Sequence, residues 1–413
     1  MSLDAVRTIS EIIAKPRLTL LHAGWIVLAS TIGLAALGID AIDLARPDGA
    51  GALASDAKRQ LVFLAVGLVA AAIAVVPRTR TLEFLGFPLM AAVLIGLIVL
   101  IAPGVPPSIV SPRNGARCWI NLGFTDIQPS ELGKVAYVMV LASYLRRRST
   151  YRTLLGLIPP GLLAAFPMAL ILLQPDLGTA LLFVPTLVAM LVAAGARLAH
   201  LIGACGLGAA FLAAVVVSSL LLAQQGKYPL LKKYQVDRIA ALMDRARGDE
   251  RRLSDRGFQG EAALMVGGAG GLAGHGEERS RALVQFSGLP ERHNDMIFAV
   301  VLNRHGFMGA LLVIGLYISW VGGALLAASS TKDPWGRLTI VGLAAMVATQ
   351  MTINIGMNIG LLPITGITLP FVSYGGSSLV SGLLMVGVIF NIAMRRPPHL
   401  WRESFEYDRI NGS

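Results

Sequence analysis

The sequence predicts an all-α polytopic membrane protein of about ten transmembrane helices, with a large extracytoplasmic loop between the seventh and eighth. Three observations carry this. Of 413 residues, 55% are hydrophobic and only 14% charged, against roughly 25% charge in a typical soluble domain. Apolar runs of about 20 residues recur along most of the chain, each long enough to cross a bilayer's hydrocarbon core as a helix. Basic residues sit in short clusters beside those runs. A soluble globular enzyme, a disordered chain and a secreted disulfide scaffold are excluded.

The runs place the spans at 18–40, 60–77, 84–103, 130–146, 154–173, 177–195, 199–223, 296–327, 338–360 and 371–394. The fourth is the shortest and most polar. The fifth holds Pro159, Pro160 and Pro167, which a membrane helix tolerates when neighbours satisfy the freed carbonyls. Ten spans leave both termini on one side. With the N-terminus inside, 13 Lys and Arg lie in inside segments, from Lys15 to Arg396, and 5 in short outside loops (Arg46, Lys58, Arg59, Arg113, Arg117). The positive-inside rule then sets both termini in the cytoplasm. The net charge of +11 therefore reads as membrane orientation, with no nucleic acid implied. The first apolar stretch begins near Leu18 and no small-residue cleavage site follows it, so no signal peptide is expected. Cys118, in a polar loop, and Cys205, in an apolar span, lie at different depths, and no disulfide between them is expected.

The chain reads as a single domain, 1–413, whose one large extramembrane connection is 224–295. That loop carries 12 Lys or Arg and 10 acids. Its middle, Gly267 to Gly276, reads GGAGGLAGHG. Either backbone approaches a ligand or another segment closely there, or the run is a flexible turn between short amphipathic helices.

Polar groups at membrane depth mark the places where chemistry is expected. At the entry to the fourth span, Gln128-Pro129-Ser130-Glu131 precede Lys134. Pro129 suits a first helical position, and Glu131 and Lys134, three apart, share a face. They form either a structural ion pair or the wall of a substrate cavity. In Gln174-Pro175-Asp176-Leu177-Gly178-Thr179, Asp176 suits a helix N-cap. Gln350, Asn354 and Asn358 recur every four residues and make one polar stripe on the ninth span. That stripe faces protein or water, through interhelical hydrogen bonds or a polar site. The segment from Leu362 to Ser378 is irregular chain between two spans and must be buried in protein or line a wet cavity. Pro290-Glu291-Arg292-His293-Asn294-Asp295 ends at the mouth of the eighth span. Asp295 there is an N-cap or, partly withdrawn from water, a general base.

These motifs, in this order, resemble the SEDS family (shape, elongation, division and sporulation), of which RodA, FtsW and SpoVE are members. The matching stretches are Gly115 to Ile120, Gln128 to Lys134, Gln174 to Thr179, Leu289 to Ala299, and Asn354 to Ser378. Glu291-Arg292-His293 and Pro363-Ile364-Thr365-Gly366 look more like RodA, and Thr368 before Leu369-Pro370 more like FtsW. RodA is the closer likeness. The resemblance implies a peptidoglycan glycosyltransferase that polymerises lipid II, an undecaprenyl-pyrophosphate-linked disaccharide, at the outer face of the bacterial cytoplasmic membrane. It also implies a monofunctional class B penicillin-binding protein as partner. The family's essential aspartate falls on Asp295, and its buried Glu and Lys fall on Glu131 and Lys134. The sequence departs from the family at Asn303-Arg304-His305, where two consecutive glutamates are usual, at Ala263 and Ala269, where serines are common, and at Cys118.

On this expectation Asp295 takes the proton of an acceptor 4-hydroxyl as it attacks the donor's anomeric carbon with inversion. Pyrophosphate leaves without needing a proton, so one carboxylate suffices where glycoside hydrolases use two. Arg117, Lys134 and Arg292 are the candidate pyrophosphate or acceptor ligands, and Glu131 keeps Lys134 charged. Asn354 and Ser377 complete the expected substrate-binding set. The chemistry leaves room for a divalent cation, Mg or Mn, although no ligand cluster can be read from spacing. Two other readings stand beside this one: a flippase for lipid-linked precursors, and a non-catalytic scaffold for the crosslinking partner.

Overall fold

The computed structural model describes residues 17–18, 22–45, 53–106, 108–113, 116–123, 125–223, 225, 227, 236, 240 and 255–396. Lys15, Arg46, most of the 224–254 part of the large loop, and residues 19–21 at the start of the first predicted span lie outside the described residues. In chain order the helices are α1 (Gly24–Ala45), α2 (Ser55–Val75), α3 (Thr79–Ile101), α4 (Pro129–Arg147), α5 (Ile158–Leu173), α6 (Leu177–Leu181), α7 (Phe183–Ala194) and α8 (Leu198–Ala223). They continue with α9 (Asp255–Ala269), α10 (Gly276–Phe286), α11 (Ile297–Ser330), α12 (Pro334–Asn358) and α13 (Gly376–Met394).

Among the described residues, nine helical stretches are long and apolar enough to cross a membrane, α6 and α7 counting as one. The tenth is α4. It carries Glu131, Lys134, Arg146 and Arg147, so it is too polar to face lipid, and 15 of its 19 residues are buried in the bundle. Among the described residues the ten expected spans thus correspond to these nine apolar stretches and the enclosed α4. At the other extreme α8 buries only Leu201 and Ser219 and stands at the rim.

The sixth span is broken where the sequence led us to expect a continuous helix. Pro185 lacks the N–H that would bond the carbonyl of Leu181, and α6 ends there. Two antiparallel sheets were also not foreseen: β1 (Arg17–Leu18) pairs with residues Arg395–Arg396 after α13, and β2 (Val110–Arg113), β3 (Ala116–Asn121) and β4 (Asp126–Ile127) fold the connection between α3 and α4. α2 and α13 approach with backbones close together. A Cβ on Gly387 would lie 2.5 Å from the Ala71 carbonyl oxygen, the small-residue contact by which membrane helices pack without a hydrophobic driving force.

The glycine run resolves in favour of close backbone approach. α11 breaks at Gly306 (φ 62°, ψ −160°), and the run fills the break. Phe307 N–H donates to the Gly271 carbonyl at 2.9 Å, Met308 N–H to Leu272 at 3.2 Å, and His275 N–H to the Asn303 carbonyl at 3.0 Å. These replace the helical bonds that the break forfeits. Asn303, one of the departures from the family pattern, donates its side-chain amide to the Val266 carbonyl at 2.7 Å. Its neighbours Arg304 and His305 both meet Asp40 of α1, at 2.7 and 3.0 Å.

The connections sort onto two ends of the bundle. At one, Glu83 accepts from Arg146 (2.8 Å) and Arg147 (3.0 Å), and Asn391 donates to the carbonyls of Ala74, Val75 and Pro77. At the other lie the sheet, the 174–176 link, the segment before α11 and the 359–375 segment. Every candidate site residue belongs to this second end.

Candidate active site

Asp295 is half-buried, one residue before the N-cap of α11. Its backbone is held by α12, because the stripe read from the sequence points here. Asn354 and Asn358 each donate a side-chain N–H to the Asp295 carbonyl at 2.9 Å. Asn354 donates also to the Ile367 carbonyl at 2.7 Å, which ties Asp295 to the irregular 359–375 segment. There the Gly366 backbone (φ 78°) lies so close that an added Cβ would sit 3.5 Å from the Asp295 Oδ2. The residues before Asp295 are fixed to the same segment. Ser373 donates its hydroxyl to the Asn294 carbonyl at 2.7 Å, and Tyr374 N–H donates to the His293 carbonyl at 2.9 Å. Left-handed backbone at Glu291 (φ 49°) and Phe371 (φ 66°) places strain on the two segments that meet at the carboxylate, a feature that clusters at functional sites.

Of the two alternatives for the irregular segment, burial in protein holds for its later part, where Ile367, Leu369 and Phe371 to Ser373 are buried, whereas Leu361, Leu362 and Gly366 are exposed. Gln350 donates to the Thr368 carbonyl at 2.9 Å, and Tyr317 donates to the Pro370 carbonyl. Gln60 of α2 donates to the Ser373 carbonyl at 3.0 Å and accepts from Gly375 N–H at 3.2 Å. Gln60 was missed by sequence reasoning; the signal available was a glutamine at the start of an apolar run. Asn358 belonged to the recognised stripe but was not singled out.

Glu131 and Lys134 pair at 2.7 Å, and both are buried. Lys134 also donates to the Gln350 Oε1 at 3.1 Å, and Ser381 of α13 donates to Glu131 at 3.1 Å. The pair thus joins α4, α12 and α13, which favours the structural ion pair over a cavity wall. Ser377 donates to the Asp126 carbonyl at 3.0 Å and accepts from Gln128 N–H at 3.1 Å, fastening β4 to α13. Arg292 donates one nitrogen to the carbonyls of Val284 (2.9 Å) and Gln285 (3.3 Å) in the last turn of α10, where a cation also suits the helix dipole. Arg117 is half-buried on β3, its Nη2 3.5 Å from the Val105 carbonyl. Its neighbour Cys118 faces the other way and donates to the Gln174 carbonyl at 3.4 Å.

Asp176 is the helix N-cap expected of it, accepting from Thr179 N–H at 3.0 Å and from Gln128 Nε2 at 3.2 Å. Burial pushes its carboxyl above the usual range, opposed by the Thr179 hydrogen bonds. Burial, and then the nearby Asp176, push the Cys118 thiol to about 12. Among the described residues no three or more His, Cys, Asp or Glu side chains gather as a metal cluster. No step is assigned to a divalent cation. An apolar groove of about 470 Å³ between α3, α4 and α5, lined by Met90, Leu94, Tyr144 and Phe166 among others, lies away from these polar groups and suits lipid rather than a charged ligand.

A family model described as "Cell cycle protein", covering FtsW, RodA and SpoVE, matches residues 22–397. The chain belongs to this family. Stage V sporulation protein E of Bacillus subtilis (strain 168) is 35% identical over 339 residues, 82% of this chain and 86% of that protein. The probable peptidoglycan glycosyltransferase FtsW of Coxiella burnetii is 32% identical over 387 residues, 90% of this chain and 96% of that protein. Among solved structures, a chain of a peptidoglycan synthase complex coordinating polymerization and crosslinking superposes with a TM-score of 0.72 at 28% identity, covering 91% of this chain and 98% of that one. The rod shape determining protein RodA of Thermus thermophilus gives 0.61 at 27% identity, covering 89% and 96%. SpoVE- and FtsW-named relatives thus stand beside RodA as likenesses of this family member.

Proposed function

We propose that the chain is a peptidoglycan glycosyltransferase that polymerises lipid II, with Asp295 as its general base. The observation carrying this is the half-buried Asp295 carboxylate at the mouth of α11, its backbone fixed from α12 and from the 359–375 segment. The loop-rich end of the bundle is then the outer one, both termini are cytoplasmic, and the 224–295 loop belongs to the same single domain. The donor is undecaprenyl-pyrophosphate-linked, and the partner is a monofunctional class B penicillin-binding protein.

In the reaction Asp295 accepts the proton of the acceptor 4-hydroxyl while that oxygen forms its bond to the donor's anomeric carbon. The bond from that carbon to the pyrophosphate oxygen breaks, and the lipid diphosphate leaves with both electrons. Attack from the face opposite the leaving group inverts the anomeric centre. Arg117 and Arg292, each half-buried, are the cations placed to meet the diphosphate. Lys134 and Glu131 hold the scaffold rather than the substrate. A transport reading would need the polar groups of α4 and α12 as a path, but Lys134, Gln350, Asn354 and Asn358 are bonded to protein partners.

Asp295→Asn keeps the size of the side chain and removes the base. In lipid vesicles supplied with lipid II and the transpeptidase partner, it lowers glycan synthesis by roughly 10²–10⁴-fold, the usual worth of a general base. Normal glycan length and rate from a correctly inserted Asp295→Asn would refute the assignment.

A further inference from the structure

The start of α11 shows an unusual piece of hydrogen bonding. In a regular helix the Asp295 carbonyl would accept from Ala299 N–H four residues on. Here the Asn358 side chain stands between them, donating to the Asp295 carbonyl at 2.9 Å and accepting from Ala299 N–H at 3.3 Å. Ala299 N–H also reaches the Met296 carbonyl at 3.2 Å. Asn358 donates further to the Asn354 carbonyl at 2.9 Å, and both asparagines are fully buried. Each amide is thereby oriented by bonds that leave it little freedom to rotate.

We infer that Asn358, with Asn354 beside it, is a positioning residue that stops α11 from winding back through Asp295 and so holds the carboxylate beside the Gly366 backbone. The inference rests on the reading of Asp295 as base. Its physical content is an inserted amide: one side chain supplies both halves of a helical bond that must not close. Without it, the Asp295 carbonyl keeps Asn354 and Ala299 N–H keeps the Met296 carbonyl, but nothing stands between the two, and the regular Ala299-to-Asp295 helical bond can close. The helix gains a turn, and the carboxylate rotates with it. Asn354 fixes the other half of the geometry, because the same amide nitrogen holds the carbonyls of Asp295 and Ile367.

The test uses Asn358→Leu and Asn358→Ala, which differ in volume and both let the helical bond close. Full-length proteins are reconstituted in vesicles with lipid II, and rates are taken per folded molecule. Both variants lose at least about tenfold in kcat with KM within about twofold, a displacement of order 1 Å being enough. A packing defect would raise KM along with the fall in kcat and would differ between the two volumes. Parental kcat in either folded variant, or a fall in kcat matched by a rise in KM, overturns the inference. Asp295→Asn in the same assay separates the two claims. Activity there removes the base itself, whereas an inactive Asp295→Asn beside fully active Asn358 variants removes only the clamp.

Discussion

Replacing Lys134 by methionine tests whether the buried pair is structural. Lys134 is 2% exposed, with Glu131 at 2.7 Å and Gln350 at 3.1 Å. Removing the ammonium leaves the Glu131 carboxylate buried, with the Ser381 hydroxyl still donating to it. Breaking one half of a buried ion pair costs about 3–5 kcal/mol, because the surviving charge is uncompensated. For a chain of 413 residues that corresponds to a fall in melting temperature of about 3–6 °C. Removing both charges together, as Glu131→Gln with Lys134→Met, restores most of the loss, since the neutral pair no longer leaves a bare charge. The assay is thermal unfolding of the detergent-solubilised protein followed by size-exclusion chromatography, with glycan synthesis measured on the folded fraction. Recovery of stability and of activity in the double variant fits a scaffold pair. A stable double variant that makes no glycan would return Lys134 to the diphosphate, and a Lys134→Met melting within about 2 °C of the parent would refute the burial argument.

Two further predictions follow from the loop-rich end. Gly274→Ala puts a Cβ 2.1 Å from the Arg304 carbonyl oxygen at a φ of 79°, so the glycine run must lift off α11. Unfolding temperature falls and proteolysis of the 267–276 stretch speeds up, whereas Gly268→Ala, with nothing within 4 Å, leaves both unchanged or slightly improved. The Cys118 thiol, raised to about 12, is protonated at pH 8. A water-soluble maleimide therefore leaves it unmodified in the folded protein and labels it after denaturation; rapid labelling of the folded form would contradict the buried hydrogen bond to Gln174.

The spans were legible because a bilayer fixes helix length, and runs of that length leave little else to form. The polar fourth span was legible for the complementary reason: a segment too charged for lipid must be enclosed, and α4 is. What the sequence could not give was long-range partnership. The period of Gln350, Asn354 and Asn358 put them on one face, yet nothing local says that the face meets the Asp295 and Ile367 carbonyls. The glycine run announced close approach without naming the break at Gly306, because the two are about 30 residues apart in sequence. Arg292 looked like a ligand for phosphate, and only tertiary placement reveals that it also caps α10. The β2–β4 sheet escaped notice because its strands are short and their apolar residues too few to make a period.

The polar residues near Asp295 divide by how their hydrogen bonds are used, and that division bears on mechanism. Glu131, Lys134, Gln350, Asn354 and Asn358 are buried and bonded to one another or to backbone carbonyls. Groups so enclosed cost several kcal/mol to leave unpaired at membrane depth, so they hold their geometry through a catalytic cycle rather than exchange partners with a passing headgroup. Asp295, Arg117 and Arg292 are only half-buried, and in the proposed reaction they are the groups that meet the substrate. On the proposed reading a polymerase needs a rigid frame around its base, because the proton must leave the acceptor at a fixed distance from the donor carbon. A carrier needs the reverse, polar contacts that re-form as the cargo moves. The closed framework therefore argues for chemistry at one face of the membrane over passage between the two.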